Sequence, residues 1–161
     1  MIATFTELLH RTRQHHAIEH ATLHVLATRH PGKGFTGYSD PLGFTIAGDV
    51  DEQSIRRAVG DALLRLQGGE HSLALHPNCG TNLVTSAVLV ALVATLTGRK
   101  RQALERFVTT LIAVLPVVLF GKIIGLYLQG YTTTTEVADR WVAAIHPVSI
   151  VGLRAHRVLF E

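Results

Sequence analysis

Little in this chain could hold a small protein together covalently or through aromatic packing. Of 161 residues, one is cysteine, one methionine and one tryptophan, while aromatic residues make up 6% and charged residues 17%. A single thiol excludes an internal disulfide framework, a CxxC redox pair, a four-cysteine zinc or iron–sulfur site and CxxCH haem attachment. No basic run is interleaved with aromatics, so the net charge of +3 and the pI near 9.4 do not point to nucleic acid. Residues 1–20 lack an apolar h-region and a small-residue cleavage site, and do not read as a secretory signal. The length suits one globular unit of ordinary size rather than two large ones.

What is present is apolar surface and histidine. Apolar residues make up 47% of the chain, and ten histidines stand beside twelve carboxylates. Mean hydropathy is +0.28, which argues against a purely soluble domain. The apolar residues are concentrated in two places. Pro77 to Gly98 carries no charge, and Phe107 to Gln129 carries only Lys122. Crossing a hydrocarbon core takes roughly 20 helical residues, so both stretches read as membrane spans. They form a hairpin around Gly98–Arg106. Pro116 should kink the second helix, and Gly121 and Gly125 make a small-xxx-small pattern suited to close helix contact, in this chain or in a homodimer. Lys122 reads as a snorkelling cation.

The expected fold is therefore mainly α and integral to a membrane. Residues 1–78 form a small α+β extramembrane domain, 79–129 the two-helix transmembrane hairpin, and 130–161 an amphipathic, interfacial C-terminal tail. Thr132 to Thr135 offer an N-cap in the tail. Trp141, Val142 and Ile145 with Arg140, Arg154 and Arg157 look interfacial, with a break at Pro147. The basic hairpin loop favours a cytoplasmic loop, yet that would export an N-terminal domain with its own Lys and Arg, so the side of that domain stays open.

Within the first domain, Thr4-Phe5-Thr6-Glu7 has capping-box spacing and starts a long helix ending near His30-Pro31-Gly32. Gly34 to Tyr38 and Gly43 to Ala47 read as a β-hairpin. Asp51 starts a second helix, through Ile55, Val59, Leu63 and Leu66, that stops at Gly68-Gly69. On the first helix, His16, Glu19 and His20 fall on the leucine stripe rather than on the charged face with Arg11 and Arg13. The motif is HxxEH. Side chains at i and i+4 share a face, so His16 and His20 can bind one ion with Glu19 beside it. A second pair, His76 and Cys79, comes from an HPxC turn at the membrane entry. Together they offer a His3Cys set suited to Zn2+ or another divalent transition metal, with His24 as a reserve ligand. If one position stays open, the metal can acidify a water there, with Glu19 as the catalytic general base. His10, His15, His30 and His71 read as surface or packing residues.

His15-His16-Ala17-Ile18-Glu19-His20 and Leu75-His76-Pro77-Asn78-Cys79-Gly80-Thr81-Asn82 resemble the H-G-x-E-H and H-P-R-C-G-T-S signatures of the YqhQ-like bacterial membrane proteins. That family is described as predicted metal-dependent enzymes, and the resemblance implicates His16, Glu19, His20, His76 and Cys79. Ala17 stands where that family has glycine, and Asn78 where it has arginine. HxxEH is also similar to the motif of inverzincin peptidases, but no downstream glutamate lies in a suitable helical context. The expectation is thus a membrane-embedded, zinc-dependent hydrolase, peptidase-like, whose partner is the lipid bilayer. The alternative is a non-catalytic accessory or assembly subunit of a larger membrane complex, held by a structural zinc site. Pigment or haem binding is disfavoured because neither apolar helix contains histidine.

Overall fold

The first helix begins where a side chain can satisfy its free N–H groups. The Thr4 side chain accepts from the Glu7 backbone at 3.4 Å, and Glu7 lies in the electropositive first turn. In the computed structural model, which describes residues 4–77, 79–97, 102–150 and 152–161, this helix is α1, Phe5–Arg29. A hairpin follows, β1 at Thr36–Asp40 and β2 at Gly43–Ala47. Next comes α2, Glu52–Gln67, capped by the Asp51 carboxylate on the Ser54 N–H at 2.9 Å. A 3₁₀ turn at His71–Ala74 precedes α3, Gly80–Thr97, and α4, Ala103–Thr132; the chain ends with β3, Val142–Ile150, and β4, Leu153–Phe160. Contacts divide it into two units, Met1–His76 with Thr132–Glu161, and Pro77–Tyr131.

The first unit is built on one antiparallel sheet in the order β1-β2-β4-β3. Phe44 pairs with Val158 and Ile46 with His156, while Ile145 pairs with Val158. Side chains alternate across a strand, so Phe44, Ile46, Ile145 and Val158 share the inner face. They join Ile18, Leu26, Ile55, Val59 and Leu66 of the two helices in one core. Burying a side chain such as Phe44 or Ile46, both 0% exposed, contributes about 1.5–3 kcal/mol.

In the second unit the pattern is reversed. On α3 the one buried residue among those described is Asn82, while Leu83, Leu92 and Leu96 are exposed. Gln129 of α4 is also buried and donates its side-chain amide to Asn82 Oδ1 at 2.7 Å. Asn82 in turn donates to the Pro77 carbonyl at 2.8 Å. The small-xxx-small pattern serves this contact within the chain. A Cβ on Gly121 would stand 2.6 Å from Ser86 Oγ, and one on Gly125 2.8 Å from the Asn82 Cα.

These findings correct the expected fold class, a mainly α integral-membrane protein with a two-helix transmembrane hairpin. Among the described residues one helix, Gly80–Thr97, is by itself long and apolar enough to cross a membrane. The second apolar stretch bends by 53° between Ala103–Val118 and Ile123–Thr132, just past Pro116, whose ring cannot follow a straight helix. Hydropathy registers its composition but not the direction of its axis. The amphipathic interfacial tail is corrected too. Residues 142–160 are β3 and β4, and β4 lies between β2 and β3 in the sheet. Pro147 does not break β3, because β3 is an edge strand and its outward side needs no N–H. Arg154 and Arg157 pair with Asp49 at 3.0 Å and Asp40 at 2.7 Å. The threonines from Thr132 close α4 instead of starting a helix. Residues 98–101 of the expected loop, Asn78, and the side chain of Lys122 lie outside the described residues.

Candidate metal centre

Helix α1 carries His16, His20 and His24 at steps of four, a single stripe along one side. Each ring meets a backbone carbonyl of the first unit. His16 Nδ1 lies 3.2 Å from the Thr132 oxygen, His20 Nδ1 2.6 Å from that of Ala74, and His24 Nε2 2.8 Å from that of Leu75. A carbonyl can only accept, so each of these ring nitrogens carries the proton and donates it. The lone pair is thereby left on Nε2 of His16 and His20, and on Nδ1 of His24. Metal-binding histidines are oriented in this way by the hydrogen bond of their other nitrogen. The carbonyls also mark where the chain leaves and re-enters the first unit, at residues 74–76 and 132.

The rings lie in sequence. His16 and His20 have centroids 4.3 Å apart, His20 and His76 5.7 Å, and His24 and His76 4.9 Å. His76 is held down to a pKa of about 4, first by burial and then by the repulsion that a protonated His76 would meet from His24 and His20 in their own protonated forms. It is therefore a neutral imidazole near pH 7.

Glu19 is buried at 4% exposure and accepts a hydrogen bond from the Ser39 hydroxyl of β1. Opposite it stands Gly37, where a Cβ would come 2.2 Å from Glu19 Oε1. Glycine is needed there for the room its missing side chain leaves to the carboxylate. Cys79 is buried and not disulfide-bonded, and its sulfur lies 3.4 Å from the Thr81 N–H at the start of α3. Cys79 follows His76 by three residues, a tether of at most about 11 Å.

Of the ligands expected from the sequence, His16, His20 and Cys79 form a group that could hold a metal ion, and His76 is not in that group. Two neutral imidazoles and a sulfur are a donor set that fits a borderline transition ion. Several contributors were not legible in the sequence. The carbonyls of Ala74, Leu75 and Thr132 have no side-chain signature, and Ser39 and Gly37 read only as parts of a hairpin. His15, read as a packing residue, is buried and stacked on Phe160 with centroids 5.0 Å apart. Its Nδ1 donates to the Asp40 carbonyl at 2.9 Å, while its Nε2 has no hydrogen-bond partner among the described residues.

With this geometry established, similarity to other proteins places the chain in a group. A family model described as a domain of unknown function, DUF6391, matches residues 11–145. The chain belongs to the DUF6391 family. The DUF6391 match takes in the histidine stripe, Glu19, His76, Cys79 and both apolar helices. An uncharacterised protein of Picosynechococcus sp. is 42% identical over 88 residues, which cover 49% of this chain and 43% of that relative. The match thus spans less than half of the relative's length. No solved structure matches the chain.

Proposed function

We propose that this DUF6391 protein is a zinc-dependent hydrolase, peptidase-like, attached to a bacterial inner membrane through α3. The observation that carries the reading is the pair of Nδ1–H bonds from His16 and His20 to backbone carbonyls, which leaves two Nε2 lone pairs one helical turn apart. In this reading His16, His20 and Cys79 hold the ion, and three protein ligands leave a position for water or substrate. Bound zinc would supply Lewis acidity and acidify water in that position. Glu19, held by Ser39 and given room by Gly37, is the general base. The motif resemblance to YqhQ-like proteins implicates His16, Glu19, His20 and Cys79 together with His76. The lipid bilayer is the partner that α3 fits by length and composition.

One observation favours the second reading, a structural zinc in an accessory subunit of a membrane complex. The same histidines pin both places where the chain leaves the first unit, as a clamp would. Zinc analysis of the detergent-purified full chain, with hydrolysis of an internally quenched peptide library, separates the two. The hydrolase reading expects one retained zinc, lost in His16→Ala, and Glu19→Gln that keeps zinc but loses cleavage. Zinc retained with no cleavage by wild type would favour the clamp, and zinc-free wild type would sink both.

A further inference from the structure

Both places where the chain passes between its first unit and the apolar second one are tied to one side of α1. It leaves after residues 74–76, where His20 and His24 meet the carbonyls of Ala74 and Leu75, and it returns at Thr132, whose carbonyl meets His16. Arg13 holds the returning segment one residue further on, donating to the Thr133 carbonyl at 3.1 Å. These anchors are spread along the helix axis rather than around it, since residues 13 to 24 span about 16 Å at about 1.5 Å per residue. Tyr127 and Tyr131, exposed and one turn apart, come just before Thr132 in the chain, and tyrosine is enriched where hydrocarbon meets water. A lipid surface reached at both exits therefore runs along α1, on the side that carries its histidines.

That side continues toward the N-terminus as an apolar stripe. Phe5, Leu9, Thr12, His16, His20 and His24 follow one another at steps of four, three, four, four and four, the spacing of a single helix face. The buried residues of α1 begin at Gln14, whereas in its first two turns Phe5 is 75% and Leu9 48% exposed. The charged groups of these turns lie across the helix, where Arg11 pairs with Glu7 at 2.7 Å. An apolar face backed by a charged one is the form of a helix lying in the plane of a membrane surface. We infer that the first two turns of α1 lie on the lipid bilayer, with Phe5 and Leu9 entering the boundary between headgroups and acyl chains. The first unit is thereby held to lipid at a second place, separate from α3. The inference rests on the membrane attachment in the proposed function and not on zinc or hydrolysis.

Tryptophan fluorescence of the full chain in phosphatidylcholine and phosphatidylglycerol vesicles, with and without brominated phosphatidylcholine, tests it. In a Trp141→Phe background, Phe5→Trp and Leu9→Trp each place a single reporter on the stripe at an exposed position, so no core contact is replaced. Arg11→Trp reports the opposite face, and Leu92→Trp the outward side of α3. Both stripe reporters should lose emission to bromine at the headgroup end of the acyl chains, at a depth of about 5–10 Å. Arg11→Trp should instead lose emission to aqueous iodide. Quenching of Leu92→Trp by bromine without quenching of Phe5→Trp and Leu9→Trp would overturn the docking of α1 and leave the membrane attachment standing. Blue-shifted stripe reporters that bromine does not reach would mean that a protein surface, such as a second copy of this chain, covers the stripe, and would overturn it as well. Equal quenching of Arg11→Trp would remove the oriented face and with it the inference. If Leu92→Trp also escapes bromine, the docking and the attachment fall together.

Discussion

The two units of this chain are built in opposite senses. In Met1–His76 with Thr132–Glu161, Phe44, Ile18, Leu26 and Ile55 are fully buried, and charged pairs such as Arg65–Glu70 and Arg29–Asp61 lie outside. In Pro77–Tyr131 the buried groups are polar or small, Asn82 and Gln129 with Gly121 and Gly125 closing on α3, while leucines, valines and isoleucines face outward. The first arrangement gains from excluding water. In the second, small residues let α3 and α4 approach closely and the Asn82–Gln129 hydrogen bond joins them. Composition alone averages these two logics into one mean hydropathy.

Substitutions should separate them, and the largest effect belongs to the first unit. Phe44→Ala should cost about 3–5 kcal/mol, lowering the urea midpoint of near-UV circular dichroism, because a closed core leaves a cavity. A much smaller loss would mean that this core is not the main source of the first unit's stability. In the second unit the sensitive positions are the small ones. Gly125→Val places a side chain against the Asn82 backbone and should cost about 1–3 kcal/mol, read as weaker association of α3 and α4 fragments in detergent.

Acid should act on the first unit through its buried histidines. Burial is the main cause holding His15 and His156 below the usual imidazole pKa of 6.5. The unfolded chain therefore takes up protons below about pH 6.5 that the folded chain refuses. Their contribution is complete above that pH and is lost as the pH falls toward the lower folded-state values. Asp40 opposes the shift at His15, whereas Arg140 and Arg157 reinforce it. His15→Phe, which keeps a ring against Phe160, should flatten part of this acid loss when urea midpoints at about pH 7.5 and about pH 5 are compared. It should also cost about 1 kcal/mol at neutral pH through the bond lost at Asp40. The smallest effect is expected at an outward leucine of the second unit. Leu96→Ala should change stability in detergent by less than about 0.5 kcal/mol, and a loss like that at Phe44 would show that Leu96 is covered in the protein.

Legibility in the sequence followed the range of the interactions involved. The starts of α1 and α2 could be read from Thr4 and Asp51, since a cap acts within three residues. HxxEH put His16 and His20 on one face for the same reason, and His24 was already visible one turn on. The tail was misread because Val142, Ile145 and the arginines are amphipathic in either a helix or a strand. Only pairing with β2, a strand about a hundred residues earlier in the chain, selects the strand.

By itself, the sequence determined where helices begin, which stretches are apolar, and which side chains could ligate a metal. Those properties reside in neighbouring residues and in the periods of the helix and the strand. Tertiary structure alone decided that the last twenty residues complete a sheet, that Gly37 leaves room for Glu19, and that Gly125 closes on Asn82. It also decided which carbonyls the helix histidines meet, Thr132 for His16, Ala74 for His20 and Leu75 for His24. A backbone carbonyl is identical in every residue, so only the folded chain can say which one a histidine will meet.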